Sequence, residues 1–208
     1  MSLGELYELH HKERRNDGDF VFVPERIPIF QEVIGQGQKV LDLGCRSGAL
    51  TTHFLEGNEV VGVDVDQAAL AKAEKRGITP VVADVEEPLP FPDETFDAVV
   101  AGELLEHLGF PQVLIAEVLR VLEPGGVIVG SVPNAFRVQG RLRFLLGKPP
   151  EEDPTHLHMF SPEQLQELLA DFEDVQLTYV GGRYRPLHPR LFARDVVFSG
   201  VRPAAEAA

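Results

Sequence analysis

Short apolar segments alternate with amphipathic ones along most of the chain. Five segments between residues 38 and 133 each contain an apolar run of about four to six residues: KVLDLG, EVVGVDV, TPVVAD, TFDAVVAG and VIVGSVP. Segments this short that are apolar at nearly every position are typical of parallel strands buried on both faces of a sheet. The pattern therefore predicts five parallel strands in one sheet.

Helical periodicity fills most of the gaps between these segments. The predicted helices lie in PERIPIFQEVIG, SGALTTHFLEG, DQAALAKAEKRG, FPQVLIAEVLRVLEPGG and SPEQLQELLADF. Residues 3–15 also have a helical pattern, and two later segments, DVQLTYV and RDVVFSGV, are typical of strands. Strands and helices that alternate in this way predict an α/β fold, a doubly wound sheet with helices on both faces and a small N-terminal helical cap.

The length and composition are those of an ordinary globular domain. The chain has 208 residues, 44% of them hydrophobic and 25% charged, which fits a single domain. We divide it into a helical cap (1–36), a ligand-binding core (37–134), a substrate-side insertion (135–160) and a C-terminal helix with two strands (161–200). The sequence has no run of membrane-span length, no signal-peptide pattern and one cysteine, Cys45, so we expect a cytoplasmic protein.

The net charge of the chain is −14. A surface this acidic repels a phosphate backbone, so nucleic acid is a disfavoured partner, and nothing in the sequence suggests a membrane partner. One segment is an exception, since RVQGRLRFLLGK (137–148) has four bases and no acid. We favour the solvated face of a helix over a binding surface for this segment.

The first predicted strand runs into a glycine turn, at the edge of the sheet where such folds bind ligands. The turn reads GCRSG, from Gly44 to Gly48. Gly44 is able to adopt a positive φ, and Gly48 lets the next element start close to a ligand. Arg46 occupies the place of a further glycine, and no Lys-Ser/Thr of a phosphate loop follows. Nicotinamide nucleotides and ATP are therefore weak candidates for the ligand.

Three aspartates lie near this turn. Asp64 ends the second strand, where a carboxylate accepts ribose hydroxyls, and Asp84 ends the third, where it would receive an amine such as adenine N6. Asp42 lies just before the turn, where the ammonium group of a ligand would lie. Each aspartate alone is equally well explained as a helix cap or turn residue. Together they favour an adenosine with a positively charged amino-acid tail over a nucleotide with phosphates.

These motifs resemble those of the class I S-adenosylmethionine-dependent methyltransferases, of the type 11 and type 23 kind. Five motifs match in order over about residues 24–180: VLDLGCRSG, VVGVDVD, VVADVEEPLPF, FDAVVAGELLEHL and VLEPGGVIVGSVPN. The resemblance implies a Rossmann-like, mostly parallel sheet of seven strands whose last strand is antiparallel, which RDVVFSGV would supply. It also implies S-adenosyl-L-methionine as the cofactor and S-adenosyl-L-homocysteine as the product.

The resemblance assigns roles to individual residues. It implies that Gly44 and Ala101 meet the methionine tail, that Asp64 binds the ribose, and that Asp84 and Val85 bind the adenine. The other members of the predicted cofactor-binding set are Asp42, Cys45, Arg46, Gly48 and Val65.

Arg46 departs from the family pattern, which usually has glycine at this position. We favour an ordinary φ for Arg46, with its side chain directed away from the cofactor. The alternatives are an ion pair with the methionine carboxylate or a substrate anion, and occlusion of the site.

The segment after the fourth strand indicates the type of chemistry. A pyrimidine C5 mechanism needs a cysteine nucleophile, but Cys45 lies within the glycine turn, and AGEL replaces the [DN]PPY signature of amino methylation. On a helix, Glu103, Glu106 and His107 would share one face. His107 is thus a candidate general base that Glu103 or Glu106 would orient.

The same E-x-x-E-H pattern resembles the metal-binding stretch of ubiquinone-pathway O-methyltransferases and small-RNA 2′-O-methyltransferases. In those families a later histidine is also a ligand, and here His156, or His158, would supply it. We favour a structural or substrate-facing role over a metal site, so the predicted catalytic residues are His107, Glu103 and His156, without a metal.

The predicted function is methyl transfer to an oxygen or nitrogen atom of a small molecule. Residues 131–169 are also similar to MetW-like proteins, which implies an alternative: a non-catalytic or regulatory protein that binds S-adenosylmethionine and assists an acyltransferase. The first helix, with Tyr7 and Arg14, is equally well explained as a lid or as a surface helix. Arg183, Arg185, Arg190 and Arg194 are either solvated, which we favour, or line an anion pocket.

Overall fold

The computed structural model describes residues 23–150, 153 and 155–204. The strands are β1 (Lys39–Leu43), β2 (Glu59–Asp64), β3 (Thr79–Val82), β4 (Phe96–Gly102), β5 (Leu122–Pro133), β6 (Glu173–Val180) and β7 (Asp195–Val201). The helices are α1 (Ile27–Ile34), α2 (Gln67–Glu74), α3 (Pro111–Val121), α4 (Val138–Leu145), α5 (Pro162–Leu168) and α6 (Pro189–Phe192). None of these helices is long and apolar enough to cross a membrane.

The order of the strands confirms the predicted doubly wound sheet. It is β3-β2-β1-β4-β5-β7-β6, in which β1 to β5 pair in parallel and β7 is antiparallel to both of its neighbours. The order reverses between β1 and β4, because the chain builds outward from β1 in one direction and from β4 in the other. In open α/β sheets ligands bind outside the carboxyl ends of the strands at such a reversal.

Consecutive residues of β1 face opposite layers of the core. Val40 belongs to the buried cluster that contains Phe30 of α1, whereas Leu41 belongs to the cluster that contains Leu114 and Val118 of α3. Full burial of one such side chain stabilises the fold by about 1.5–3 kcal/mol. Burial on both faces is the reason that the central strands are apolar at consecutive positions.

Polar caps begin two of the helices. Asp66 accepts hydrogen bonds from the backbone N–H groups of Ala68 and Ala69 at the start of α2. At the start of α5, Ser161 accepts from the Gln164 N–H, and the Gln164 side chain accepts from the Ser161 N–H. These bonds satisfy N–H groups that have no partner within the helix. The helix predicted in SPEQLQELLADF is therefore confirmed, and it begins at a serine cap.

The helix predicted for SGALTTHFLEG is wrong. This stretch, which the structure describes in full, forms only a 3-10 turn over Thr51–His53, with other turns on either side. The Thr52 hydroxyl donates to the Ala49 carbonyl, and the Thr51 hydroxyl is directed inward to Asp42. Threonine side chains that bond locally compete with the hydrogen bonds of a helix, which is why the element is short.

Only part of the predicted cap over residues 1–36 is described, because residues 1–22, and with them the predicted helix over 3–15, lie outside the described residues. The described part is a 3-10 turn over Pro24–Arg26 that leads into α1. Phe30 and Ile34 of α1 are buried in the core. This part of the cap is therefore a packed layer of the domain, and the lid role of the first helix stays a prediction.

Candidate functional site

A cleft opens at the carboxyl ends of the strands around the reversal of strand order. Its volume is about 800 Å³, including space open to solvent, which is within the range of small-molecule sites. Six residues of the predicted cofactor-binding set line it: Gly44, Arg46, Asp64, Val65, Asp84 and Val85. The lining also includes Asp66, Ala83, Glu86, Glu103, Leu104, His107, Leu108 and Thr155.

The glycine turn brings backbone to the wall of this cleft. Gly44 has φ +67°, and a Cβ at this position would come within 3.1 Å of Leu104 Cδ1. Arg46 also has a positive φ, of 50°, so the expectation of an ordinary φ for Arg46 is wrong. A side chain in this left-handed conformation costs about 1–2 kcal/mol. The turn thus keeps the shape that glycine favours although an arginine occupies it.

Asp64 ties the turn to the end of β2. Its Oδ2 accepts the Arg46 N–H at 2.9 Å, and its Oδ1 accepts the Asp66 N–H at 2.8 Å. Burial raises the pKa of Asp64, and the two backbone hydrogen bonds oppose that shift. The carboxylate therefore has a defined orientation at the wall of the cleft.

Asp84 and Val85 follow β3 and line the same cleft as the turn after β1. The Asp84 Oδ1 accepts the Glu86 N–H at 2.9 Å, which is the geometry of an Asx turn. The Ala83 N–H donates to the Asp64 carbonyl, so the ends of β2 and β3 stay together. The two predicted ligand-binding carboxylates, Asp64 and Asp84, thus share one cleft.

Asp42 does not line the cleft. Its side chain is 3% exposed and accepts the Thr51 hydroxyl at 2.5 Å. Burial raises the pKa of Asp42 to about 7; the Thr51 hydrogen bond opposes this rise, and the charge of Asp64 adds to it. Cys45, which is also buried beneath the turn, has a pKa raised mainly by burial. These two groups support the turn from inside the fold.

Gly48 and Ala101 also lie outside the lining of the cleft. Gly48 has φ +76°, and a Cβ there would collide with Ile78. Ala101 is buried within β4, where it pairs with Gly130 of β5. Both residues allow close packing beneath the cleft.

Glu103 is positioned by a buried network and not by a helix. It has φ +56°, and only Leu105–His107 beyond it form a 3-10 turn. Its Oε1 lies 2.9 Å from Arg26 Nη1 and accepts the Ser131 hydroxyl at 2.8 Å. The prediction that Glu103, Glu106 and His107 share one helical face is therefore wrong, because the chain turns sharply at Glu103.

His107 and His156 come together at one end of the cleft. Their rings meet edge to face, with 4.8 Å between centroids, and His107 Nδ1 lies 3.1 Å from the Thr155 carbonyl oxygen. Glu106 is 1% exposed, and its carbonyl oxygen accepts the N–H groups of Leu157 and His158. The segment that carries His156 is thereby attached to the turn that carries His107.

Ligand atoms of Glu106, His107 and His156 lie within 4.8 Å of one another. Within the described part of the chain, this group of one carboxylate and two imidazoles is a candidate site for a divalent metal ion. His158, the alternative ligand, instead stacks on Phe160, with 5.5 Å between ring centroids. His107 and Thr155 line the cleft. His156 does not line it, but its ring contacts that of His107.

Sequence reasoning missed Arg26, Ser131 and Thr155. Arg26 precedes a helix and Thr155 belongs to a proline-rich insertion, and neither has a motif around it. Ser131 is the exception, because it is a polar residue within the otherwise apolar segment VIVGSVP. Its full burial in β5 is the reason that it needs the partners Arg26 and Glu103.

Comparisons with known proteins agree that this chain is similar to methyltransferases. Residues 41–130 match the family model of a methyltransferase domain. A probable S-adenosylmethionine-dependent methyltransferase of Mycolicibacterium smegmatis is 34% identical over 144 residues, 66% of this chain and 52% of that protein. A ubiquinone biosynthesis O-methyltransferase of Alkalilimnicola ehrlichii is 28% identical over 187 residues, 83% of this chain and 75% of that protein. The chain thus spans about half the length of the first of these relatives.

Solved structures show the same fold. A SAM-dependent methyltransferase from Archaeoglobus fulgidus has a TM-score of 0.70 to this chain at 21% identity, over 85% of this chain and 91% of that one. The likeness at this identity is one of architecture, and it agrees with the seven-stranded mixed sheet described above.

Proposed function

We propose that this chain is a class I S-adenosylmethionine-dependent methyltransferase and that it methylates an oxygen or nitrogen atom of a small molecule. The observation that carries the proposal is the cleft in which a glycine turn after β1 meets aspartates after β2 and β3. The cofactor supplies the methyl group. Similarity to a ubiquinone biosynthesis O-methyltransferase favours oxygen as the acceptor atom.

The lining of the cleft fits the cofactor in charge and in shape. S-adenosylmethionine carries a sulfonium and an ammonium group, and the cleft presents the side chains of Asp64, Asp84 and Glu103. Asp64 would accept the ribose hydroxyls and Asp84 the adenine amine. At Gly44, a side chain would take up space against Leu104 that the ligand needs to approach the backbone.

We assign His107 as the general base. A carbonyl oxygen only accepts hydrogen bonds, so the contact with the Thr155 carbonyl requires the proton of a neutral His107 ring to be on Nδ1. Nε2 then has the lone pair and takes the proton of an acceptor hydroxyl or amine. His156 would hold the ring in place by its edge-to-face contact. Glu103 has a different role, since Arg26 and Ser131 hold it as a fixed charge beside the cleft.

Calorimetric binding of S-adenosylhomocysteine tests the cofactor assignment. Asp64→Ala should weaken binding by about 1.5–3 kcal/mol, because a hydrogen bond to a charged group is lost. Asp171→Ala, which changes an exposed aspartate, is the control and should leave affinity unchanged. Thermal unfolding of each variant checks that the domain is intact. Equal affinity of Asp64→Ala and the natural protein would contradict the ribose assignment.

A transfer assay separates catalysis from the regulatory alternative. With cofactor labelled on its methyl group, a panel of small phenols, carboxylates and amines should give at least one labelled product, and His107→Ala should reduce its formation. The MetW-like alternative requires a different result. There, the whole panel stays unlabelled, while an acyltransferase from the native host co-purifies with the protein and gains activity on its addition.

A further inference from the structure

An apolar stripe on α4 faces solvent. The helix packs closely on its own flanking segment at Gly140, where a Cβ would collide with the Ala135 carbonyl. Apart from Phe144, its apolar side chains recur at the spacing of a single helical face: Val138, Leu142, Leu145 and, directly after the helix, Leu146. The last three are 55%, 78% and 75% exposed. The sequence alone favoured a solvated helix face over a binding surface here, and in the structure this solvated face carries the leucines.

Bases accompany this stripe, and the segment that carries it contains no acid. Between Glu123 and Glu151 the sequence contains no Asp or Glu, and it contains four bases: Arg137, Arg141, Arg143 and Lys148. The chain as a whole has a net charge of −14. Positive charge is thus concentrated on one part of a strongly acidic protein, which makes a local field of opposite sign.

The loop between β6 and β7 has the same character. No acid lies between Asp174 and Asp195, and four arginines do: Arg183, Arg185, Arg190 and Arg194. Leu187 and Tyr184 in this loop are 76% and 54% exposed. The loop therefore adds more bases and more exposed apolar side chains.

The two segments lie side by side. Asn134, just before α4, donates its side-chain amide to the carbonyls of Arg190 and Ala193, at 3.1 Å each. Pro133 at the end of β5 pairs with Asp195 at the start of β7. Residues 134–150 and 183–194 therefore form one surface, which we name the basic apolar surface.

We propose that the basic apolar surface binds an anionic lipid bilayer peripherally. Arginines and lysine would contact the anionic headgroups while the leucines of α4 enter the boundary with the acyl chains. Nucleic acid is a poorer occupant, because exposed leucines have nothing to pack on along a phosphate backbone. A second copy of the chain is also poorer, because a symmetric contact would bring the bases of both copies together.

The basic apolar surface lies at the same edge of the sheet as the cleft. The carboxyl end of β5 leads directly into α4, and β5 is parallel to β1 and β4, whose carboxyl ends border the cleft. The surface and the cleft are therefore at the same edge of the sheet. Binding to a bilayer would hold the mouth of the cleft close to the lipid surface.

Tryptophan fluorescence tests the proposal, because the natural chain has no tryptophan. The reporter is Leu145→Trp in the full chain, titrated with vesicles of phosphatidylcholine and with vesicles that also contain phosphatidylglycerol. We expect a blue shift with the anionic vesicles only, and quenching by acyl-chain quenchers. The matched control is Val113→Trp on α3, a position that is 50% exposed and should give no shift.

Charge reversal tests the electrostatic part. Arg141→Glu with Lys148→Glu should lower the vesicle partition coefficient at least about tenfold, since each base near an anionic surface contributes measurably to binding. Lys72→Glu with Lys75→Glu on α2 makes the same change in net charge and should have a much smaller effect. S-adenosylhomocysteine affinity should be unchanged in both double variants, which separates this proposal from the proposed function.

Four outcomes would overturn the proposal. These are no shift of Leu145→Trp with anionic vesicles, an equal shift with phosphatidylcholine alone, and an equal loss of binding in both charge-reversal variants. The fourth is a shift of Leu145→Trp fluorescence without lipid. A shift that grows with protein concentration would identify a second copy as the occupant, and a shift on addition of duplex DNA would identify nucleic acid.

Discussion

Arg26 and Glu103 form an ion pair beside the cleft, with 2.9 Å between Nη1 and Oε1. The Arg26 guanidinium is 6% exposed and also donates to the Ser131 hydroxyl, while Asp195 lies 3.8 Å away. Burial, followed by the charge of Glu103, raises the pKa of Asp195 to about 8. One buried cation thus fixes the sharp turn at the end of β4 from a distant part of the sequence.

Arg26→Met should destabilise the domain by about 1–3 kcal/mol, because it leaves the Glu103 carboxylate and the buried Ser131 hydroxyl without their charged partner. Urea unfolding followed by circular dichroism measures this change. Arg26→Lys keeps the charge but loses the fork of donors, so we expect a clearly smaller loss. Equal losses in the two variants would indicate that packing of the guanidinium, and not its charge, holds the turn.

Arg46→Gly should stabilise the protein by about 0.5–1 kcal/mol. Relief of the left-handed conformation contributes about 1–2 kcal/mol, and the greater freedom of glycine in the unfolded chain offsets part of this gain. We expect S-adenosylhomocysteine affinity to change by less than about 1 kcal/mol, as in an ordinary surface substitution. A tenfold loss of affinity would instead assign Arg46 to the methionine carboxylate. Binding that only Arg46→Gly shows would mean that the arginine occludes the site.

Asp42→Asn should change the pH dependence of stability. Because the pKa of Asp42 is raised to about 7 in the fold, the folded state binds a proton there that the unfolded state has lost above about pH 4. The free energy of unfolding that this bound proton contributes is therefore fully present below about pH 4 and is lost as the pH rises toward 7. Denaturant titrations between these pH values should show that stability falls less steeply in Asp42→Asn, by on the order of a few kcal/mol. Parallel curves would contradict the raised pKa.

We expect removal of divalent metal to leave the domain unchanged. Ligands of one Zn²⁺ or Mg²⁺ lie about 2.0–2.2 Å from the ion, so two of them are at most about 4.4 Å apart. The ligand atoms of Glu106, His107 and His156 are spread over a range of up to 4.8 Å, so an ion would require them to move inward. Thermal unfolding with EDTA, Mg²⁺ and Mn²⁺ should give one melting temperature. A rise with metal that His156→Ala abolishes would establish a metal site.

Local patterns were enough to predict the sheet and half of the site. The central strands follow from apolar segments, because burial on both faces makes them apolar at consecutive positions. The edge strand β6 alternates instead, since only one of its faces is covered. Gly44, Asp64 and Asp84 were also predicted from local patterns, since each follows directly from the end of a strand and parallel strands bring those ends together.

The prediction of a helix after Gly48 was wrong because the Thr51 and Thr52 hydroxyls bond to Asp42 and to the backbone. Such bonds do not alter the apolar periodicity from which the helix was predicted.

Other features depend on contacts between residues far apart in sequence. The spacing of Glu103 in the sequence fits a helix. In the structure, contacts with Arg26 and Ser131 hold it in a left-handed conformation instead. The same holds for α4, because its spacing groups the leucines on one face but only the packing of the whole chain leaves that face in solvent. Periodicity reports which side chains share a face of an element, whereas packing of the whole chain decides what, if anything, covers that face.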